Sequence, residues 1–395
     1  MGEIRLGTSG WSYKEWIGPF YRETDKSMLM TYQRVFDTVE IDSTFYRYPT
    51  KGMVFGWLRY TKSDFIYSAK LPQLITHKKK LDPAQGVESD LNKFLELMEP
   101  LQFNGKLACL LAQLPPSLKY NTPLLESFMT LFPTQFRLAV EFRHLSWMNP
   151  QTFKLLEKYN VAYTAVDEPL LPPDTNVTTD FAYIRWHGKG DQPWFDYHYK
   201  KDELKPWIPK VKQAAQKAKK VFGYFNNHYH AYAVKNALEM AEMLEIINAE
   251  QKTVKETVEK YFEAKSKEIQ AKPSMELTAF MPEKIANMKL EDLLHVFMDD
   301  NRISRAKTIK DDEVVIERAS EDNLRARVRE YHISIDVPNK LILHDCPDWS
   351  RSAPVRQLCK HVGKVMMIAP ESVAVSVLKK MAAEREEWQF KQYVA

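Results

Sequence analysis

The chain has 395 residues, 44% of them apolar, with 56 Lys and Arg against 52 Asp and Glu and a formal net charge of +4. That length exceeds one ordinary domain, so two domains are expected; twelve Gly and three Cys argue against Gly-rich nucleotide loops and against a disulfide scaffold. No apolar run is long enough to span a bilayer, the odd cysteine count suits a reducing cytoplasmic compartment, and the mild positive charge permits nucleic-acid contact without requiring it.

Eight short strands are predicted before residue 230: Ile4–Gly10, Thr38–Thr44, Phe65–Leu71, Ala108–Leu114, Arg137–Phe142, Ala162–Asp167, Phe181–Gly188 and Val221–Asn227. Helical spacing lies between them. Leu91, Phe94, Leu95 and Met98 form one stripe, Leu124, Leu125, Phe128 and Leu131 a second, and Phe153, Leu155 and Leu156 a third. Strand followed by helix, about eight times, predicts a (β/α)8 TIM-type barrel. A doubly wound sheet is the alternative, although GTSGW at residues 7–11 is a weak version of the Gly-rich first turn such a sheet uses.

Active sites of such barrels lie at the carboxyl ends of the strands. Strand alternation sorts the polar groups found there. Val39 and Ile41 face one way, so Glu40 and Asp42 face the other. Val140 and Phe142 face the helices, so Glu141 and Arg143 face the axis. Ile184 and Trp186 face outward, so Arg185 and His187 face inward. The other strand ends carry Ser9, Lys70, Gln113, Asp167, Asn226 and His228. Charges kept together in low dielectric are costly unless paired, which makes a functional pocket the favoured reading over a structural ion-pair network. Glu40, Lys70, Glu141, Asp167, Arg185 and His187 are the candidate catalytic groups. Asp42, His77, Gln113, Arg143, Asn226 and His228 are the candidate substrate-binding groups. A divalent metal held by Glu141 or Asp167 is a further expectation.

The segments GTSGWSYKEWIGPFY, VEIDSTFYRYP, FIYSAKLPQLITHKKKL, LAQLPPS, AVEFRHLSW, YIRWHGKG and YFNNH follow one another in this order. Residues 1–245 thereby resemble the YecE-like family, domain of unknown function 72, whose members are TIM-type barrels. The resemblance implies that Glu40, Lys70, His77, Gln113, Glu141, Arg143, Asp167, Arg185, His187 and Asn226 line the pocket. It says little about the reaction. The chain departs from the family after the asparagines, where His228, Tyr229, His230 and Ala231 replace the usual small residues and reshape the mouth near strand eight.

Beyond the barrel, 246–300 reads as a helical linker region. Its charged stretch Asn248–Gln270 carries Val254, Val258, Tyr261 and Phe262 as an apolar stripe, and Pro273 stops it. Residues 301–395 form a second, α+β domain with strands at Val314–Arg318, Leu324–Glu330, His332–Val337 and Lys340–His344, then a helical tail over Glu371–Phe390. Arg325, Arg327 and Arg329 alternate with Ala326 and Val328, so they share a face, which is either solvated or turned to phosphate. His344-x-Cys346 and Cys359-x-His361 are two close pairs of soft ligands, a Cys2His2 set suited to tetrahedral zinc. No ligand position is left open, so the zinc is expected to be structural. Strands followed by CPDW and CKHVGKVMM resemble a SWIM-type zinc finger, with His344 in place of the first Cys. That resemblance implies nucleic-acid binding, DNA or RNA, and sometimes protein contacts. Arg351, Arg356 and Lys360 around the ligands fit phosphate.

Three functional readings stay open. The first is a nucleic-acid-processing hydrolase, a nuclease or lesion-processing enzyme, acting at the barrel mouth while the zinc module holds the polymer. The second is a non-catalytic nucleic-acid or protein adaptor. The third is a sugar-related isomerase or hydrolase, with Trp11 and Trp147 near the rim for ring faces.

Overall fold

The computed structural model describes residues 1–190, 195–271, 285–353 and 355–393, with side chains except those of 267–271, Ser350 and Arg351. Two compact units divide the chain, Met1–Lys265 and Ser266–Ala395.

In the first unit, β1 (Glu3–Thr8), β2 (Thr38–Ile41), β3 (Ile66–Lys70), β4 (Leu107–Gln113), β5 (Leu138–Glu141), β6 (Ala162–Asp167), β7 (Phe181–Trp186) and β8 (Lys220–Phe225) pair in the order β1-β8-β7-β6-β5-β4-β3-β2. Every pairing is parallel. The two ends of the sheet meet where Ser9 bridges Glu40 and the Gly10 N–H donates to the Glu40 carbonyl at 2.8 Å. The result is an eight-stranded near-barrel. β2, β5, β6 and β7 are buried at every position, as parallel strands covered on both faces must be. Val39, Ile41, Val140, Tyr163, Ala165, Ile184 and Trp186 pack outward into the helix layer. Cys109, Leu111, Ala139, Ala162, Tyr183, Phe222 and Tyr224 form a separate inner cluster. Helix starts are written locally. The Asn121 side chain accepts from the Leu124 N–H ahead of the helix Thr122–Met129, and Asn149 accepts from the Thr152 N–H ahead of Pro150–Lys158, each with a proline in the first turn.

The stretch expected as a linker divides between the units. Within the helix Ala249–Ala271, Val258 is buried in the barrel's core, and the Gln251 amide donates to the Val35 carbonyl at 2.9 Å. This part of the helix is therefore packed rather than solvated. Lys255 of this charged stretch pairs with Glu242 at 3.2 Å and with Glu259 at 2.9 Å. Ile285, Leu293, Leu294 and Phe297 belong instead to the second core. Pro273 lies outside the described residues.

The second unit holds a five-stranded sheet: β9 (Val314–Ala319), β10 (Asn323–Val328), β11 (Tyr331–Asp336), β12 (Leu341–His344) and β13 (Gln389–Gln392), in the order β13-β12-β11-β10-β9. β13 falls at the end of the tail expected to be helical. The helix stops at Ala383, and β13 pairs parallel with β12, anchored by Phe390 stacked on Trp349 at 5.5 Å. Val362, Val365 and Met366 of the helix Lys360–Ile368 and Val377, Leu378 and Met381 of the helix Glu371–Ala383 share one core with the apolar face of this sheet. Glycine at 363 permits the close approach of Met298, because a Cβ there would lie 2.4 Å from its Sδ and Cε. No described helix is long and apolar enough to cross a membrane.

Candidate functional site

Alternation carries the polar groups of β2, β5 and β7 inward at their carboxyl ends. Arg185 is completely buried and lies between two carboxylates that are equally buried. Its Nη2 donates to Glu40 Oε1 at 2.7 Å and its Nη1 to Glu141 Oε2 at 2.6 Å. Glu40 also accepts from the Ser9 hydroxyl and, at 2.7 Å, from Tyr183. Burial alone would protonate Glu141, but Arg143 and Arg185 outweigh it and hold its carboxyl well below the ordinary range. Arg143 extends the network. It donates to Glu141 Oε1, pairs with Glu168, and its Nη2 lies 2.9 Å from His187 Nε2.

His187 Nε2 also lies 3.3 Å from Glu141 Oε1, and Nδ1 lies 3.0 Å from the side-chain nitrogen of Asn226, which can only donate. Burial and then Arg143 push His187 down to about 3, so the ring is neutral. Glu168 behaves in the opposite way. Burial raises it to about 7 against the pull of Arg143, with Glu141 adding to the rise. It is a carboxyl poised to take or give a proton near neutral pH. Glu168 Oε1 and Arg185 Nε are buried without a hydrogen-bond partner among the described residues.

Around this centre, Lys70 Nζ donates to Asp42 Oδ1 at 3.0 Å and lies 4.0 Å from the Phe45 ring centroid. Burial opposes the charged form of Asp42, but Lys70 and Arg185 bring its carboxyl below the ordinary range. His77 stands edge-on to Phe45 at 4.9 Å; burial, Lys70 and Arg143 push it down to about 4. Gln113 ends β4 in register with Glu141. His228 stacks on Tyr13 at 4.4 Å. Gly10 holds φ +80°, and a Cβ there would lie 2.6 Å from the Tyr13 hydroxyl, so that ring's seat depends on glycine.

Two expectations need correction. Asp167 is in register with the outward-facing Trp186 and pairs with Lys189 at 3.2 Å. The next residue, Glu168, joins the network. Alternation through Thr164 and Val166 reaches Glu168, and the predicted strand stopped one residue short of it. Tyr183 and Ser9, the hydroxyls on Glu40, were also not singled out as site residues. Trp147 is buried against Phe142 and donates to the Leu118 carbonyl at 2.8 Å, so it offers no ring face at the rim. The carboxylates at the mouth are each tied to a cation or hydroxyl, and no metal-ligating set is found there among the described residues.

In the second unit His344, Cys346, Cys359 and His361 are all buried, and one donor atom of each lies within 4.8 Å of all the others. The two sulfurs are 3.7 Å apart, far beyond a disulfide bond. His344 Nδ1 lies 2.6 Å from the His332 carbonyl, which can only accept, so the proton is on Nδ1. That leaves the Nε2 lone pair of His344 free, and both this atom and His361 Nδ1 are buried without a partner. Two imidazole nitrogens and two thiols converge as a set that could hold a metal ion.

Of the expected phosphate contacts, Arg325 and Arg327 are exposed on β10. Arg329 lies past the strand at φ +56°, where Glu313 takes both ends of its guanidinium at 3.0 Å. Arg356 is engaged by Glu386. Lys360 is half-buried beside Arg302 and Arg305 in a cavity of about 110 Å³. The Arg351 side chain lies outside the described residues.

A parallel eight-stranded near-barrel with ionisable groups at its strand ends defines a TIM-barrel-like α/β protein. The chain belongs to the DUF72 family of proteins of unknown function, whose model matches residues 5–260. It is 27% identical over 270 residues to the UPF0759 protein YunF of Bacillus subtilis, covering 62% of this chain and 95% of that protein. It is 29% identical over 142 residues to the UPF0759 protein YecE of Escherichia coli K12, covering 36% of this chain and 48% of that protein. A DUF72 family crystal structure from Thermotoga maritima has a TM-score of 0.57 and 34% identity, covering 62% of this chain and 99% of its own. One from Enterococcus faecalis V583 has a TM-score of 0.55 and 25% identity, covering 62% and 98%. The family match ends before the Cys and His cluster.

Proposed function

We propose that this chain processes nucleic acid, with proton-transfer chemistry at the barrel mouth and a zinc-stabilised module that holds the polymer. The observation that carries the reading is the Cys2His2 donor set beneath a sheet bearing exposed arginines, on one chain with the mouth network. Two thiolates bound at about 2.3 Å in a tetrahedron lie ~3.8 Å apart, against the 3.7 Å between Cys346 and Cys359. His344 Nε2 and His361 Nδ1 are the nitrogens suited to complete the site. The His332 carbonyl would fix the His344 ring from behind, as outer partners of ligating histidines do. With four protein ligands the zinc is structural, in the manner of a SWIM-type finger with one Cys replaced by His.

At the mouth, Glu168 is the candidate acid or base. Arg185, through its unpartnered Nε, and Lys70 are the candidate stabilisers of developing negative charge. Glu40 and Glu141 would keep Arg185 oriented. A divalent ion at the mouth would have to displace Arg143, Arg185 or Lys70, so it is not needed for this reading. The pairing of nearly every mouth charge favours a second reading, in which the barrel binds a ligand without turning it over. A substrate screen separates the two. Full-length protein is incubated with intact and lesion-bearing DNA and RNA, nucleosides and free sugars, with and without divalent ions, and products are read by mass spectrometry. Product from a polymer supports processing; product from sugars alone overturns it.

A further inference from the structure

The five-stranded sheet buries one face and leaves the other open. Leu324, Ala326, Val328, Ile333, Ile335, Ile342 and His344 point into the core. The register places Arg318, Arg325, Ser334, Leu343 and Lys391 side by side across all five strands on the opposite face. A second row sets Val315, Arg327 and His332 together, and His332 stacks on Tyr393 at 5.4 Å with ring planes 16° apart. Arg318, Arg325, Arg327 and Lys391 make no ion pair among the described residues. The neighbouring carboxylates are Glu317, at the bulge in β9; Asp345, which is tied to the His332 backbone N–H at 2.7 Å and to its ring at 3.0 Å; and Asp336, in the next row on the same face, which accepts from the Asn339 N–H at 3.2 Å and from its side-chain amide at 3.0 Å.

We infer that this open sheet face is a binding platform for single-stranded nucleic acid, with Arg318, Arg325, Arg327 and Lys391 on phosphates and the His332–Tyr393 stack under a base. The inference rests on the nucleic-acid reading above and names the form of polymer and the surface that takes it. Four unpaired cations in two adjacent rows match a phosphate backbone in sign. Val315 and Leu343 add apolar contact between them. Width argues against a duplex. Five strands at ~4.8 Å spacing span about 19 Å, too broad for a major groove about 12 Å wide. In a duplex, moreover, base faces are covered by their neighbours, whereas an unpaired base can lie on an aromatic ring. Arg329, held by Glu313, takes no part.

The test is fluorescence anisotropy of short labelled single-stranded DNA, single-stranded RNA and duplex DNA with the full-length, zinc-loaded protein across a salt series. Single strands are expected to bind more tightly than duplex, and the DNA and RNA arms show which sugar is preferred. The double variant R325A/R327A should lose about two phosphate contacts, lowering the salt slope by ~1.4. Y393A should weaken binding several-fold with the slope unchanged. Zinc content and circular dichroism confirm that each variant is folded, and R329A, already engaged by Glu313, should bind like the parent. If the parent binds single strands but R325A/R327A and Y393A bind equally well, the platform is elsewhere and the nucleic-acid reading survives. If duplex is preferred, the single-strand assignment is overturned. If the parent binds no nucleic acid, both fall.

Discussion

Replacing Arg185 with Met tests whether the mouth network is energetically a unit. Arg185 is the cation between Glu40 and Glu141, at 2.7 and 2.6 Å, and all three side chains are at most 1% exposed. Removing it leaves Glu40 with only the hydroxyls of Ser9 and Tyr183, while Glu141 keeps Arg143. Breaking a buried pair this way costs about 3–5 kcal/mol, because the remaining charge stays out of water. For a unit of this size that corresponds to a fall in Tm of roughly 6–20 °C. The assay is thermal unfolding, followed by near-ultraviolet circular dichroism for the tryptophan-rich barrel and by metal release for the second unit. As a contrast, Lys158→Met removes an exposed pair with Glu126, whose side chains are 63% and 37% exposed, and should leave the melting temperature nearly unchanged. A loss below ~1 kcal/mol for Arg185→Met, like that of an exposed pair, would refute the coupling of the three groups.

Glu168 gives a pH signature. Its folded-state value, about 7, lies above the ordinary 4.5, so the protonated form favours folding; its contribution to stability is full below pH 4.5 and is lost as pH rises to about 7. Glu168→Gln should remove this decline, worth about 3 kcal/mol, and unchanged pH dependence of Tm would contradict the burial argument. Chelation of zinc should unfold the second unit while leaving the barrel's transition in place, and Cys346→Ser or Cys359→Ser should abolish metal binding measured by elemental analysis. Retention of the metal in both variants would remove the proposed ligand set. Nitrogen-15 NMR of the metal-loaded protein should show His344 protonated at Nδ1; a proton on Nε2 would exclude the ligand atom proposed. Gly10→Ala should cost roughly 1–3 kcal/mol through its left-handed backbone and unseat Tyr13, which urea titration and tyrosine fluorescence read directly.

Much of this architecture was legible because the strands obey period two. Alternation alone put Glu141 with Arg143 and Arg185 with His187 on the axis, and the structure places them there. It failed where a strand end was misjudged. Glu168 was missed because β6 was ended at Asp167, although the same alternation would have reached it. Arg329 was grouped with Arg325 and Arg327 because the pattern was carried past Val328 into a left-handed turn that sequence did not mark. Trp147 was assigned to the rim by its position after β5, but its burial depends on Phe142 and Leu118. β13 was hidden because its pairing with β12 is made across the fold, while the charged segment before it, Arg385–Glu387, has helical composition. The Cys and His spacing foretold the four-residue cluster, whereas the nitrogen atoms facing its centre depend on the His332 carbonyl and needed coordinates.

The central claim is that one chain both binds and converts nucleic acid. Its most direct test compares the zinc-loaded full-length protein with Glu141→Gln on labelled single-stranded and lesion-bearing oligonucleotides, with products resolved on a denaturing gel and binding measured in parallel. The account predicts product from the parent, and binding without product from the variant. Binding by both with product from neither would contradict processing, and product undiminished in Glu141→Gln would place the chemistry outside the barrel mouth.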